Sequence, residues 1–514
     1  MVMKAFFDKN KAALGLLTAA LAVGVTVTLL QLVFSVDIYR DAANVYAFMA
    51  RALSRREYAE AFHPAIPCLN VILAQPFIRL GLRPEQALSA VSSLFYLATI
   101  PCLYMLLKRF VPATPAAFGA LLFACASKII RFSCTSVIDS GKIFFLIAAL
   151  YFVSRMADER FRSYKSALWL GAALGGMSLA RSEGIGNAFV ICGCLWGIWL
   201  YRSFREKRMM PIGPSAASLV PWALAILARM WVNWRFCGKF VFDERIHNGI
   251  CKLFGRVVSA PAVQPVVSVW LPPPRRPVSW LELVNNFIRG CGEVYFGFAM
   301  AGILLLVLAT YGGKLRILWP DKKIPEFFKW RGFYFVLLAS AFGNALIFKL
   351  STIGAYRYFL PNVPLFMIFV VVAAYWLWSW SAKLFPRPLR ILCGMAVAGG
   401  LALQVVNGTE NIFSRNSRRQ YRSGVAAGDA MRREDPRGRV WFNTAGIEWY
   451  YTDMRRAVPI ETSGADIWKY DFDFLLIVKD NTEEVEIPRV VNGLAEIELP
   501  ADSTVRLFRR IKVK

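Results

Sequence analysis

Three observations predict a polytopic α-helical membrane protein with about 11 transmembrane helices and a C-terminal extracytoplasmic α/β or α+β domain. Of the 514 residues, 57% are hydrophobic and 14% aromatic, and the mean hydropathy is +0.44, a balance that soluble enzymes rarely show. Apolar stretches near the ~20 residues a helix needs to cross a hydrocarbon core of about 30 Å recur along the chain. Clusters of Lys and Arg sit between them.

Only a helix or a closed barrel satisfies its own backbone hydrogen bonds in lipid, so each long apolar run reads as a helix. Spans are expected near Ala12 to Phe34, Glu85 to Leu107, Ala113 to Ile130, Ile138 to Val153, Ala167 to Ala180 and Gly184 to Leu200. Others are expected near Pro214 to Trp234, Gly292 to Tyr311, Phe333 to Phe348, Tyr358 to Trp380 and Ile391 to Val406. The first is too long for a signal peptide and lacks a small-residue cleavage site, so it is read as a retained helix.

The short loops orient the chain, because Lys and Arg stay on the cytoplasmic side. With a cytoplasmic N-terminus, Lys4, Lys9 and Lys11, then Lys108 and Arg109, Arg155 to Lys165, Arg202 to Arg208, Lys314 to Arg331 and Lys383 to Arg390 all fall on that side. Residues 1–406 then form a membrane module with external loops at 35–84 and 235–291, and residues 407–514 form an external tail. Strand-like runs at Gly438 to Asn443, Phe472 to Val478 and Val505 to Ile511 mark the tail as a small folded unit.

The net charge of +27 does not point to nucleic acid, since the basic residues flank apolar spans, where anionic headgroups and the positive-inside rule account for them. The ten cysteines are scattered without a Cys-x-x-Cys pair. They form neither a zinc pattern nor a disulfide framework.

The first external loop is the most informative stretch. After Asp37 and Asp41, Val45, Phe48, Met49, Ala52 and Leu53 follow the spacing of an amphipathic helix lying along the membrane surface. Asp41 at its start reads as an N-cap or a reactive carboxylate, two roles that can coexist, and Asp37 as the polar end of the first span. Glu60 and His63 follow, and the stretch Ala65 to Leu80, interrupted by Pro67 and Pro76, is expected to be re-entrant or interfacial.

Further charges fall at or near the external helix ends: Lys128 and Arg131, Asp139 and Lys142, Arg181 and Glu183, Lys349 and Arg357. An ionisable group among apolar helices costs roughly 2.5–3.5 kcal/mol on insertion scales, so it is paired, snorkelling or functional. Acids and bases converging on one external face suit a substrate with an anionic head and a long lipid tail.

The order of motifs resembles that of the GT-C glycosyltransferases, and within them the bacterial relatives of protein O-mannosyltransferases and of the lipid A aminoarabinose transferase (family 39 type). The resemblance rests on Tyr39-Arg-Asp41, the run Ala50 to Leu53, His63-Pro64, Leu179-Ala-Arg-Ser-Glu-Gly184, Tyr356-Arg-Tyr-Phe-Leu-Pro361 and the external tail. Many relatives carry Asp-Glu in the first loop, whereas here Ala42 follows Asp41. The resemblance implies transfer of a sugar from a polyprenyl-phosphate donor to a hydroxyl acceptor on a lipid, glycan or protein, outside a bacterial inner membrane and with inversion.

It also implies roles. Asp41 would be the general base, with Asp37 as the alternative. Arg357 and Arg181, backed by Lys128, Arg131 and Lys142, would bind the lipid phosphate. Asp139, Glu60, His63, Tyr356 and Tyr358 would meet sugar or acceptor. A phosphate leaves as a stable anion without a protonating acid, so one base and several cations suffice. No cofactor follows with certainty, and a divalent cation is left open because no metal-ligand spacing is present. Membrane lipids are expected partners.

The alternative function is a non-catalytic transporter or flippase of a lipid-linked precursor. Transporters often show repeated halves and broken helices at the midplane, whereas no repeat is seen here and the charges gather at one face. A membrane anchor for a binding tail would hardly need so many spans.

Overall fold

The computed structural model describes residues 2–34, 45–135, 138–207, 209–244, 247, 280–291, 293–311, 336, 339–340, 359–384, 386–413, 415–435, 439–442, 455–456, 473–478, 494–500, 503 and 505–510. Asp37, Asp41, Tyr356, Arg357 and Tyr358 lie outside the described residues, as does Lys349.

The chain opens with α1 (Val2–Phe34), then three short helices, α2 (Ala47–Ser54), α3 (Tyr58–Ala61) and α4 (Leu69–Arg79). There follow α5 (Pro84–Leu107), α6 (Ala113–Cys125), α7 (Ser127–Ser133), α8 (Asp139–Asp158), α9 (Tyr164–Ala180) and α10 (Gly184–Arg205). After α11 (Gly213–Ala217) and α12 (Leu219–Cys237) come α13 (Trp280–Cys291), α14 (Glu293–Tyr311), α15 (Asn362–Leu384), α16 (Arg387–Thr409) and α17 (Arg415–Glu434).

Among the described residues, 6 helices are long and apolar enough to cross a membrane, or 7 if the bent pair α6 and α7 is one span. The expected span from Ala113 to Ile130 is therefore not straight, since its two halves meet at 60°. The break falls at Ala126, whose extended backbone interrupts the helix. The stretch after His63 forms α4, whose 11 residues reach about 16 Å, half of a bilayer core. Its length agrees with a re-entrant or interfacial segment and not with a span.

Helix α2 departs from a simple surface helix. Ala47, Met49, Ala50 and Ala52 are buried, and α2 packs on α4 and α5, because alanines between the larger apolar positions let protein close over more than one face.

Helix α8 packs between α5 and α9, α9 against α12 and α10, and α1 against α5 and α6. Lipid tails are as apolar as leucine, so helix association in a bilayer rests on close packing and interhelical hydrogen bonds. Both are present between α9 and α12. A Cβ at Gly171 would run into the carbonyl oxygen of Ser218, Gly175 sits against Ala225 and Pro221, and Trp222 Nε1 donates to Ser178 Oγ at 3.1 Å. Gly302 similarly brings α14 onto the backbone of Phe369 in α15.

The tail carries β1 (Arg439–Phe442), β2 (Arg455–Arg456), β3 (Phe474–Val478), β4 (Leu494–Ile497) and β5 (Val505–Arg510) in one sheet of order β2-β1-β3-β5-β4. β1 runs parallel to β2 and β3, while β5 is antiparallel to β3 and β4. Phe474, Leu476, Val505 and Leu507 are buried. Three of these strands match the runs expected from sequence; β2, of two charged residues, and β4, of four residues, were not expected.

The glycine contacts yield a prediction. Gly171→Ala should destabilise the protein by about 1–3 kcal/mol through overpacking. Gly193→Ala, with nothing within 4 Å of the added carbon, should be neutral or stabilising by up to about 1 kcal/mol. Thermal unfolding in detergent distinguishes them, and equal midpoints would contradict the close α9–α12 packing.

Candidate active site

Helices α8 and α10 begin, and α9 and α12 end, at the same end of the bundle, as the ion pairs joining them require. Asp139 is the first residue of α8 and Arg181 the C-cap of α9, so each charge sits where the helix dipole favours it. The Arg181 guanidinium is paired with Asp139 through Nη1 and Oδ1. Its Nε donates to Glu183 Oε2 at 3.1 Å and its Nη2 to Oε1 at 3.4 Å. Lys142, one turn into α8, is 1% exposed and lies close enough to feel Glu183, Arg181 and Asp139 electrostatically.

Glu183 stands in the break between α9 and α10. Burial opposes its charge, but the Arg181 guanidinium and the Lys142 ammonium outweigh burial and hold its carboxyl down to about 2.

A second pair adjoins the first. Arg229, one of the largest side chains of α12, donates from Nη2 to Asp243 Oδ2 at 3.1 Å, with side chains only 1% and 0% exposed. Its guanidinium lies 4.6 Å from the Phe242 ring centroid. The Ser182 hydroxyl donates to the same Asp243 carboxylate, which links the two pairs through adjacent residues of the α9–α10 break. Three acids (Asp139, Glu183, Asp243) and three bases (Lys142, Arg181, Arg229) thus share this end of the bundle. Buried charge is tolerable only when compensated in this way.

The first loop reaches the same place. Glu244 donates its N–H to the Pro64 carbonyl at 3.1 Å. The neighbouring His63 is half-buried, with Nδ1 accepting the Ala65 N–H at 3.1 Å. Glu60 lies half-buried on α3.

Of the residues singled out in the sequence, Asp139, Lys142 and Arg181 come together, and the His63 turn adjoins them through Pro64. Lys128 is half-buried and Arg131 exposed on α7, outside the ion pairs just given. The expected base Asp41, its alternative Asp37, and Tyr356, Arg357 and Tyr358 are outside the described residues. The described start of α2 has Tyr46 at the cap position, with no side-chain cap bond. As for a cation, both acids nearest Lys142 are engaged by Arg181. Among the described residues, no group of three or more His, Cys, Asp and Glu side chains could hold a metal ion.

Ser182, Arg229 and Asp243 were not singled out from sequence. Arg229 had a readable signal, as the only charged residue between Gly213 and Trp234, since a lone arginine in an apolar span demands a partner. Ser182 lies inside the motif Leu179 to Gly184, but its pairing with Asp243 spans 61 residues and nothing local to either residue signals it.

Comparison with known proteins gives three findings. Residues 66–231 match the family model described as dolichyl-phosphate-mannose-protein mannosyltransferase, a segment that contains every member of the charge cluster except Asp243. No curated protein matches the sequence.

Among solved structures, ArnT from Cupriavidus metallidurans bound to undecaprenyl phosphate superposes with a TM-score of 0.61 at 15% identity, over 97% of this chain and 98% of that one. The oligosaccharyltransferase AglB from Archaeoglobus fulgidus, in complex with an inhibitory peptide and a dolichol-phosphate, gives 0.53 at 11%, over 92% and 70%. The arabinofuranosyltransferase AftD from Mycobacteria gives 0.50 at 13%, over 97% of this chain and 40% of that one. The chain thus has the helical membrane fold of the GT-C glycosyltransferases, and its buried charge cluster is built within and beside the segment that resembles the protein mannosyltransferases.

Proposed function

We propose that the chain is a glycosyltransferase that moves a sugar from a polyprenyl-phosphate donor to a hydroxyl acceptor at the extracytoplasmic face of a bacterial inner membrane, with inversion. The observation that carries this reading is the buried cluster of both charge signs at one end of an apolar bundle, within and beside a segment resembling protein mannosyltransferases. An anionic head on a long apolar tail is the ligand for which such a site and its walls are complementary. ArnT bound to undecaprenyl phosphate and AglB with a dolichol-phosphate support that ligand class.

In the proposed reaction the acceptor oxygen attacks the anomeric carbon from the face opposite the phosphate. The bond from that carbon to the phosphate oxygen breaks, and the polyprenyl phosphate leaves with the electron pair. Asp41 takes the acceptor proton, with Asp37 as the alternative base. Arg357, Lys128 and Arg131 neutralise the phosphate. Arg181 and Lys142, already met by carboxylates, supply a pre-set field beside it and hold Asp139 toward the sugar, with Glu60, His63, Tyr356 and Tyr358 lining the acceptor side. About eleven spans in residues 1–406, with the N-terminus cytoplasmic, and a tail from 407 to 514 that positions the acceptor complete the proposal.

Four outcomes are expected. In cells lacking the protein, an envelope glycan feature disappears and a polyprenyl-phosphate sugar accumulates, as mass spectrometry of lipids and glycans would show. Asp41→Asn keeps the shape of the side chain, is produced stably, and lowers transfer by about 10²–10⁴-fold; full restoration by this variant would remove Asp41 as the base.

Arg181→Ala strands two buried carboxylates and should cost about 3–5 kcal/mol of stability. Arg181→Lys, which keeps the charge but not the fork, should cost less, and thermal unfolding ranks them. The acid limb of the pH profile reports the group that takes the proton, Asp41 in this reading. Glu183, held down to about 2, stays charged throughout, so a limb near pH 2 would point to Glu183 instead.

A further inference from the structure

Residues 238–244, the first turn of the second external loop, do not leave the bundle after α12. Gly238 ends that helix in the left-handed conformation, at φ +69°, which turns the chain back along its own last turns. Asn233 then donates its side-chain amide to the carbonyls of Val241, at 2.8 Å, and Phe242, at 3.2 Å. Lys239 pairs with Glu244 at 2.6 Å, Arg229 reaches Asp243 from below, and Phe242 covers the guanidinium.

From this fold-back two bonds run outward: Asp243 to the Ser182 hydroxyl, between Arg181 and Glu183, and the Glu244 N–H to the carbonyl of Pro64, beside His63. One short segment thus joins the first external loop, the α9–α10 break and the end of α12.

The Arg229–Asp243 pair is not an economical way to stabilise a bundle. Arg229 Nε and Nη1 are buried and have no hydrogen-bond partner among the described residues, so the pair carries much of its desolvation cost without full compensation. Buried ion pairs of this kind are often replaceable by apolar side chains without loss of stability.

We propose that residues 238–244 are a strap, and that Arg229 and Asp243 are positioning residues which, through Ser182, hold the Arg181–Ser182–Glu183 break in the geometry the transfer site needs. The proposal rests on the transferase reading above. Ser182 acts by its hydrogen bond to Asp243, and neither Arg229 nor Asp243 is placed on the reacting atoms.

The test uses the full-length protein in nanodiscs and in cells. Two variants cut the link differently: Ser182→Ala leaves the ion pair intact, and Arg229→Met combined with Asp243→Leu removes both charges together. Both should keep the wild-type melting temperature within a few degrees. By hydrogen-exchange mass spectrometry, both should exchange amides 181–184 at least tenfold faster than wild type, and both should lower the glycan product at least tenfold.

The proposal is overturned if amides 181–184 keep wild-type exchange while only 238–244 opens in the paired variant, or if the product is unchanged although the break has loosened. If cells lacking the protein altogether show no altered glycan or lipid, the transferase reading fails by itself. The exchange data then still decide whether the strap holds the break.

Discussion

A charge surrounded by apolar helices cannot be left alone, and the end of this bundle is organised around that constraint. Each of the six buried charged groups answers to at least one of opposite sign: Arg181 to Asp139 and Glu183, Lys142 to the same acids, Arg229 to Asp243. Removing Arg229 or Asp243 would leave its partner uncompensated in low dielectric, Arg181 serves two acids, and the Ser182 bond to Asp243 joins the two pairs into one unit. Helix ends, loop path and break geometry follow from keeping that unit together.

The unit exists only because backbones approach closely. Gly171 and Gly175 let α9 lie against Ser218, Pro221 and Ala225 of the α11–α12 segment, and the Trp222 to Ser178 bond fixes their register. At the far end of the same two helices, this register sets Ser182 against Asp243 and Arg229. The opposite end of the bundle is built differently. There Arg155 and Glu159 pair at 2.7 Å with side chains 40% and 29% exposed, and such partly solvated pairs contribute little. Charge at that end flanks helices; at the other end it is enclosed by them.

Enclosure with balanced charge also bears on the proposed chemistry. A neutral, hydrogen-bonded network does not need to reorganise when a reaction moves charge beside it, which is the condition under which fixed groups stabilise a developing anion. It also means that Arg181 and Lys142 are poorly placed to be the sole neutralisers of a phosphate, since their charge is already answered. The proposal therefore divides labour between cations that hold the site and cations, such as Arg357, that meet the ligand.

The sequence by itself determined the helical membrane class, the position of most long helices, the shortness of the apolar segment after His63 and three of the five tail strands. These follow from hydropathy, proline and alternation, which are local properties. It also placed Asp139, Lys142 and Arg181 at helix ends, because an ionisable residue beside an apolar run stands out.

The lone charge of Arg229 could have been read the same way; Asp243 could not, as nothing within a few residues marks it, and Ser182, although it stands between Arg181 and Glu183, carries no sign of a partner 61 residues away. The 60° bend between α6 and α7, the burial of α2 on more than one face and the strap from Gly238 to Glu244 were decided only by tertiary structure. Each depends on which helix packs on which, and hence on contacts between residues far apart in the chain.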